Sequence, residues 1–306
     1  GEPELELFYN WVQENIQFRD FDDQIIFGQP KSEGFTLVII DEAQDLTLDK
    51  IRLIARIMHV NKNAKILVIG DENQTINTWA GAKKGSMQIV SEMFSCKSLP
   101  MMYSYRCPKS VVDIAKQFSP EMECGTENEG LVKHILQENI PEFLGQENLV
   151  LSRTTAKLVP VFFTLFRMGI PCQIKGKEMA KNVKRLTARF NSENWIQKFD
   201  EYALSVKRPD FKEMLFDLSD CLKAISEELG DNSKKAVVDT LVKIFDESEQ
   251  NPRVVLSTIH KMKGGQCENV FVLGYEKLVQ KAQESEEEKF VAFVATSRAK
   301  ENMYLL

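Results

Sequence analysis

The sequence lacks the features that would place it at once in a disulfide-rich, zinc-binding or membrane class of protein. No two cysteines stand at Cys-x-x-Cys spacing, and the six are scattered: Cys96, Cys107, Cys124, Cys172, Cys221 and Cys267. That spacing argues against both a zinc site and a disulfide framework. Apolar runs such as residues 158–163 are far shorter than the roughly 20 residues of a membrane span, and no signal peptide opens the chain. We expect a soluble, cytoplasmic protein.

An excess of positive charge is also absent. The 306 residues carry a net charge of −6, so any binding of nucleic acid requires a local basic surface. One stretch is a candidate, because it has a single acid, Glu178, among six cations: Lys175, Lys177, Lys181, Lys184, Arg185 and Arg189. Two interpretations stay open for this stretch, a nucleic-acid surface and an ordinary solvated helix face.

The composition, 43% hydrophobic and 27% charged, is that of a globular protein long enough for two domains. Residues 36–40 and 65–70 are continuous apolar runs, a pattern typical of parallel strands that helices cover on both faces. Between them, apolar residues recur at helical spacing from Leu48 to Met58, with Thr47 placed as the N-cap. The pattern predicts a β-α-β unit.

A second α/β segment is predicted to begin near Pro100, and it includes a helix over residues 156–168 that stops at Gly169, before Pro171. Its last helix begins at Ser285, which has Glu288 at capping-box spacing, and its strands are expected at residues 148–152, 253–258, 269–274 and 302–306. Residues from about 177 to 250 show a helical, charged pattern without strands. We therefore predict one domain at residues 1–99 and a second at residues 100–306, with a helical insertion over about 177–250.

Two acids, Asp41 and Glu42, follow the first predicted strand. Ligands of open α/β folds bind at the carboxyl edge of the sheet. In a nucleotide-hydrolysing site the first acid holds Mg²⁺, normally through water, and the second orients or deprotonates the attacking water. Acids at strand ends also cap the following helix, so the pair alone leaves both interpretations open.

Residues suited to a nucleotide and a base follow the next strand and the start of the second segment. Gln74 can sense a terminal phosphate, and Trp79 stands in a loop setting suited to stacking on a base. Tyr105 and Arg106 stand together at a predicted helix entrance, where they can stack on adenine and reach its phosphates.

Two more stretches lie near the end of the chain. Residues 257–266 follow a strand and supply a hydroxyl, an imidazole, an ammonium and a Gly-Gly turn, all of which can bind phosphates. Residues 290–306 place Arg298 on the last predicted helix. Together with the earlier stretches they form a series of five motifs, each in a strand-loop-helix context.

In this order and spacing, the five stretches resemble motifs II to VI of superfamily 1 helicases of the UvrD/Rep-like group. The resemblance covers most of the chain from Asp20 onward, outside the predicted insertion. It implies two RecA-like parallel-sheet domains of the P-loop NTPase type, the first incomplete and the second with an α-helical insertion. It also implies an ATP-dependent DNA helicase that uses ATP and Mg²⁺ to move on single-stranded DNA and unwind duplexes in repair or replication.

The resemblance also assigns roles to single residues. It implies that Asp41 coordinates Mg²⁺ and Glu42 is the catalytic base, and that four side chains act on the phosphates: Gln44, Gln74, Arg106 and Arg298. Tyr105 stacks on adenine. Further contacts to the nucleotide are assigned to Lys263, Gly264 and Gln266. Contacts to single-stranded DNA or a DNA junction are assigned to Asn77, Trp79, Thr258 and His260.

The sequence departs from the family pattern at several positions. The family usually has Tyr where Asn77 stands and Arg where Ala80 stands, which weakens the predicted stacking and phosphate contact beside Trp79. Gln266 stands where a Glu normally accepts from the ribose hydroxyl. The predicted insertion is much shorter than the accessory domain of the best-known members, so the strand-separation features of that domain are not expected.

The phosphate-binding loop of such helicases does not occur in these 306 residues. No G-x-x-x-x-G-K-[ST] is present, and the glycine-lysine stretches at residues 81–86 and 263–266 have the wrong spacing. Without the strand that feeds this loop, residues 65–70 would form an uncovered apolar edge. We expect the loop in a segment of the same polypeptide or in a second chain, and no ATP turnover without it. The alternatives are a stable truncated relative and an inactive nucleic-acid-binding or regulatory module.

Overall fold

The computed structural model describes residues 25–26, 34–76, 81–246 and 252–306. The chain divides into two compact units at the bond between Pro100 and Met101, and each unit has its own hydrophobic core. No helix in these described ranges is long and apolar enough to cross a membrane.

The first unit contains a two-stranded parallel sheet. β1 (Leu37–Ile40) and β2 (Lys65–Val68) pair in register over their whole length. α1 (Leu48–Val60) connects them and has the predicted N-cap, because the Thr47 hydroxyl accepts from the Lys50 amide at 3.3 Å. α2 (Ser86–Met93) lies further along the chain.

Helices cover one face of this sheet in the described part of the first unit. Its core contains residues of both strands and both helices: Val38, Ile40, Ile51, Ile54, Ile66, Val68 and Val90. The opposite face carries Leu37, Ile39 and Leu67, which are 49%, 58% and 46% exposed. The apolar pattern of the two strands predicts helices on both faces of the sheet. Among the described residues, helices cover one of the two faces, as expected of an incomplete domain.

The second unit is built on a six-stranded sheet in the order β5-β10-β9-β6-β8-β7, in which all neighbouring strands run parallel. The strands are β5 (Leu131–His134), β6 (Asn148–Ser152), β7 (Cys172–Ile174), β8 (Val254–Thr258), β9 (Cys267–Val272) and β10 (Ala299–Leu305). A separate parallel pair joins β3 (Tyr103–Ser104) to β4 (Glu123–Cys124). This architecture confirms the predicted α/β class with parallel sheets.

Two helices precede the predicted insertion. α3 (Lys109–Ala115) packs beside β5, and α4 (Leu158–Arg167) packs on β6, β7 and β8. α4 ends where Gly169 adopts a φ of +70°, a left-handed conformation that favours glycine. The predicted stop at Gly169 is therefore confirmed.

Between β7 and β8, in the region of the predicted insertion, the described residues form four helices. They are α5 (Lys177–Thr187), α6 (Trp195–Ser205), α7 (Pro209–Leu229) and α8 (Lys234–Ile244). Phe199, Leu222 and Leu241 belong to the same buried cluster as Val150 and Phe271 of the sheet. The four helices are thus packed into the core of the second unit, not set apart as a body of their own.

The last two helices flank the end of the sheet. α9 (Tyr275–Glu284) follows β9, and α10 (Glu286–Thr296) leads into β10. The Ser285 hydroxyl accepts from the Glu288 amide at 3.2 Å, which confirms the predicted N-cap of α10. Every residue of α10 from Phe290 to Thr296 is buried. The C-terminal part of α10 is therefore fully packed, whereas Glu286 and Glu287 in its first turn are exposed.

Candidate nucleotide and nucleic-acid sites

The two acids Asp41 and Glu42 stand at the carboxyl end of β1, where the chain turns sharply. Glu42 adopts a φ of +50°, in the left-handed region that non-glycine residues seldom occupy, and its amide donates to Asp41 Oδ1 at 2.8 Å. Both side chains are exposed. The turn therefore presents two carboxylates to solvent at the sheet edge, as predicted from the strand pattern.

A buried glutamine links these acids to the end of the neighbouring strand. Gln44 is 2% exposed, its Nε2 donates to Glu42 Oε2, and its Oε1 accepts from the Asp71 amide at 3.0 Å. Gln74 Nε2 in turn donates to Asp71 Oδ2 at 2.8 Å. The close packing requires Gly70, because a Cβ there would lie 2.4 Å from Gln44 Oε1. The network joins Glu42, Gln44 and Gln74 across the two strands.

The donor set at this edge can be compared with what Mg²⁺ requires. In the described ranges no three His, Cys, Asp or Glu side chains form a group that could hold a metal. Mg²⁺ is usually bound by only one or two carboxylates, with waters and substrate phosphates completing its octahedron. The exposed Asp41 carboxylate beside Glu42 fits that shared mode of binding. A resident ion caged by protein alone does not fit.

The second unit has an open pocket of about 460 Å³ near the amino ends of β9 and β10. Six residues line it: Tyr105, Arg106, Thr126, Asn128, Gln266 and Lys300. The Tyr105 side chain is largely exposed, and its ring lies so close to Gly125 that a Cβ there would be 2.8 Å from Cε1. A flat aromatic ring beside an arginine and a lysine suits a nucleotide, with stacking for the base and positive charge for the phosphates.

Three of the residues predicted to bind nucleotide line this pocket, and two others do not. Tyr105, Arg106 and Gln266 line it, whereas Lys263 and Gly264 lie in the preceding turn, where Gly264 has a φ of +79°. Sequence reasoning missed Thr126, Asn128 and Lys300, because none of them belongs to a recognisable motif. The only signal for Lys300 was its position at the start of the terminal strand, beside Arg298.

Arg298 lies at the same corner but is turned into the protein. It follows the end of α10, whereas the sequence pattern placed it on that helix. Its side chain is 1% exposed and donates to the carbonyls of Val294 (2.8 Å) and Gly265 (3.2 Å) and to Ser297 Oγ (2.9 Å). In this conformation the guanidinium holds the turn before β9 against the end of α10. Its predicted contact with a phosphate stays a prediction.

Thr258 and His260, two of the four residues predicted to contact DNA, lie at the opposite end of the sheet. Thr258 ends β8 and is 8% exposed, and His260 begins the short 3-10 turn that follows. The pKa of His260 is lowered to about 4, mainly by burial and to a smaller extent by the Arg153 guanidinium. The Glu288 carboxylate acts in the opposite direction and raises it. The imidazole is therefore neutral at pH 7. The other two predicted contacts, Asn77 and Trp79, lie outside the described residues.

An ion pair that the sequence pattern did not reveal stands beside His260. Arg153, just after β6, donates from Nε and Nη2 to the Glu288 carboxylate at 3.0 to 3.3 Å. Glu288 lies in the first turn of α10. The pair ties the end of β6 to the helix whose other end carries Ser297, because bidentate pairing of arginine and carboxylate fixes geometry as well as distance.

Comparisons with known proteins agree with the sequence motifs. Residues 20–95 match the family model of the UvrD/REP helicase N-terminal domain, and residues 131–306 match that of the UvrD-like helicase C-terminal domain. Over 135 residues the chain is 27% identical to a probable DNA helicase II homolog of Mycoplasma genitalium. That match covers 43% of this chain and 17% of the relative's length.

Proposed function

The chain belongs to the UvrD-like helicase family, and from this membership we propose that it forms part of an ATP-dependent DNA helicase. In this proposal the protein works in the cytoplasm, where it couples ATP hydrolysis to movement on single-stranded DNA and to unwinding of the duplex. The residues around Asp41 and around Tyr105 act on the nucleotide, and those after β8 act on DNA.

The network at the ends of β1 and β2 is the observation that carries the proposal. Glu42 is the general base, and its carboxylate is oriented by Gln44, whose other end is bonded to the Asp71 amide. Asp41 supplies an oxygen for Mg²⁺, which when bound neutralises charge on the phosphates. Gln74 shares Asp71 with Gln44, so a change at the terminal phosphate can pass from one strand end to the other. A helix-capping role alone gives no reason for this linkage.

The pocket of the second unit also binds nucleotide in this proposal. Tyr105 stacks on adenine, and Arg106 stabilises negative charge on the transferring phosphoryl group. Gln266 faces the ribose, with Lys263 and Gly264 close by in the same turn. Arg298 also serves the phosphates in this proposal, and to do so its guanidinium must exchange a backbone carbonyl for a phosphate oxygen.

Contacts to single-stranded DNA are assigned in this proposal to Thr258 and His260 of the second unit and, from the family resemblance, to Asn77 and Trp79. His260, neutral at pH 7, contacts DNA as a hydrogen-bonding group and not as a cation. Trp79→Ala is expected to weaken binding by about 1–3 kcal/mol, the usual worth of stacking one base on an aromatic ring. Unchanged binding in that variant would remove Trp79 from the DNA path.

The phosphate-binding loop is supplied by a segment outside these 306 residues, in the same polypeptide or in a second chain. Phosphoryl transfer depends on positioning and on charge neutralisation, and the amides, lysine and hydroxyl of such a loop supply much of both. The 306 residues alone should therefore bind ATP poorly and not turn it over.

The test is phosphate release with Mg²⁺, ATP and single-stranded DNA, measured for the 306-residue chain and for the protein completed by a P-loop segment. We expect DNA-stimulated hydrolysis only in the completed protein. Glu42→Gln should lower it by about 10²–10⁴-fold while nucleotide binding persists. Glu72 is an exposed acid in the loop after β2, so Glu72→Gln is the matched control and should leave hydrolysis unchanged.

Two results would count against the proposal. Turnover by the 306-residue chain that is lost with Glu42→Gln would show that it has another phosphate cradle. A completed protein that binds DNA without hydrolysing ATP would favour the alternative, a catalytically inactive nucleic-acid-binding or regulatory module. One observation favours that alternative, the engagement of the Arg298 guanidinium with backbone carbonyls.

A further inference from the structure

One face of α5 carries a row of cations. Lys177, Lys181, Lys184 and Arg185 stand at helix positions i, i+4, i+7 and i+8, and all four are exposed, whereas Val183 and Thr187 face the core. The row extends along roughly 12 Å of helix axis. Glu178 is the one acid between residues 175 and 189. In a chain with a net charge of −6, this face concentrates positive charge.

This row begins beside the predicted DNA contacts. The Lys175 amide donates to the Leu256 carbonyl of β8 at 2.9 Å, so α5 starts next to the strand that ends at Thr258. Lys261, the residue after His260, is exposed, and its Nζ lies 3.3 Å from where a Cβ on Gly176 would stand. Positive charge therefore continues from the turn after β8 onto the helix.

The charges of Lys181, Lys184, Arg185 and Lys261 are little neutralised by the described part of the protein. Lys184 Nζ lies 3.6 Å from Asp239 Oδ1, with both side chains well exposed, and Arg185 donates to the neutral amide oxygen of Asn182. Among the described residues, neither Lys181 nor Lys261 has an ion-pair partner within 4 Å. Like charges held close together repel, and a polyanion laid across them relieves that repulsion.

Building on the proposed function, we infer that the cationic face of α5, with Lys261, binds the phosphate backbone of single-stranded nucleic acid that continues from Thr258 and His260. The ligand is recognised by its charge and not by its sequence, because the exposed groups are ammonium and guanidinium donors without an aromatic platform among them. The surface lengthens the strand's path beyond the contacts expected of the motifs.

The test uses the double variant Lys181→Gln and Arg185→Gln in the 306-residue chain. Binding of a fluorescent oligothymidylate is followed by anisotropy between 50 and 200 mM salt. If both side chains contact phosphates, the slope of log K against log salt should become shallower by about 1.4, since each phosphate contact on a single strand contributes about 0.7. Binding should also be weaker at every salt concentration.

The control double variant, Lys116→Gln and Lys133→Gln, removes the same charge from the C-cap of α3 and from β5, at the other edge of the sheet. Its salt slope should equal that of the unaltered chain. An equal change in both variants would mean that only net charge matters, and an unchanged slope in the α5 variant would show that the face does not touch DNA. Either result overturns the inference, as does an unaltered chain that fails to bind the oligonucleotide.

Two further measurements sharpen the test. The first distinguishes a surface that binds nucleic acid from one that binds an acidic protein. The second tests the proposed helicase activity independently of the α5 surface. If the α5 variant keeps its DNA binding but loses affinity for poly-glutamate, the face serves an acidic protein instead, and the inference is wrong. DNA-stimulated hydrolysis by the completed protein tests the proposed function separately. If the completed protein does not hydrolyse ATP but the α5 variant shows a shallower salt slope, the proposed activity is wrong and the proposed DNA-binding surface is supported. Unchanged far-ultraviolet circular dichroism checks that the variants are folded.

Discussion

Arg106 and Ser297 are joined by a hydrogen bond across 191 positions of the chain: Arg106 Nη1 donates to the Ser297 carbonyl at 3.3 Å. The same serine accepts from Arg298 Nη2 through its hydroxyl at 2.9 Å. Cys107 Sγ also lies 3.6 Å from the Ser297 carbonyl. Ser297 therefore lies between the two arginines assigned to the phosphates, so a movement of one guanidinium changes the surroundings of the other.

The buried Arg298 should matter for stability as well as for activity. Arg298→Ala removes the hydrogen bonds that the buried guanidinium donates to the Val294 and Gly265 carbonyls and opens a cavity, so we expect the second unit to lose about 3 kcal/mol of unfolding free energy. Arg298→Lys should not restore it, because an ammonium cannot reproduce the guanidinium fork. Urea unfolding measures the effect.

Arg106→Ala is the matched control for that experiment. The Arg106 side chain is exposed, so its removal should change stability by no more than about 0.5 kcal/mol while lowering hydrolysis in the completed protein. If Arg298→Ala is as stable as Arg106→Ala, the carbonyl bonds of Arg298 are not formed in solution.

Gly125 should control adenine binding through the Tyr105 ring. A Cβ at Gly125 would lie 2.8 to 3.1 Å from three ring atoms, so Gly125→Ala must displace the ring. We expect the completed protein to lose about 1–3 kcal/mol in ATP binding, as it should with Tyr105→Ala, whereas Tyr105→Phe keeps the ring and its affinity. Titration with a fluorescent ATP analogue measures this. Full affinity in Tyr105→Ala would exclude stacking.

The partly buried His260 should make stability depend on pH. Its pKa falls from 6.5 to about 4 on folding, so the unfolded chain takes up the proton at a higher pH than the folded protein does. Stability should therefore decrease as the pH falls from about 6.5 to about 4, by up to about 1.4 kcal/mol per pH unit from this residue. Thermal melts of His260→Gln should show a flatter profile over that range.

The causes of this pKa can be separated with variants. Arg153→Gln removes a positive charge and should raise the pKa of His260, and Glu288→Gln removes a negative charge and should lower it. Titration of the imidazole by NMR measures both shifts, with His134→Gln, an exposed histidine, as the control for assignment and stability. A pKa near 6.5 in the unaltered protein would contradict the desolvation of the imidazole.

Gln44 should be needed both for folding of the first unit and for the position of Glu42. Gln44→Ala leaves the Asp71 amide without its side-chain acceptor and should cost about 1–3 kcal/mol of stability. It should also lower hydrolysis in the completed protein, because the Glu42 carboxylate loses its donor. Gln88→Ala, an exposed glutamine on α2, is the control and should change neither quantity. Equal effects of the two variants would show that the link is unimportant.

Features that depend on residues a few positions apart were predictable. The N-caps at Thr47 and Ser285, the helix stop at Gly169 and the acids at the end of β1 agree with the structure, because caps, periodicity and strand ends are local properties. The edge strands β5 and β7 escaped prediction. β7 is only three residues long and β5 is largely exposed, so neither has the apolar run that marks the central strands.

The amino-acid sequence by itself determined the α/β class, the order of the motifs and the identity of the residues that carry their chemistry. The tertiary structure alone decided that Arg298 is bonded to carbonyls inside the protein, that Lys300 joins Tyr105 and Arg106 at one pocket, and that Glu288 pairs with Arg153. The reason is physical. Which way a side chain points, and which distant group it meets, depends on how strands pair and helices pack across long separations, and local patterns do not encode that.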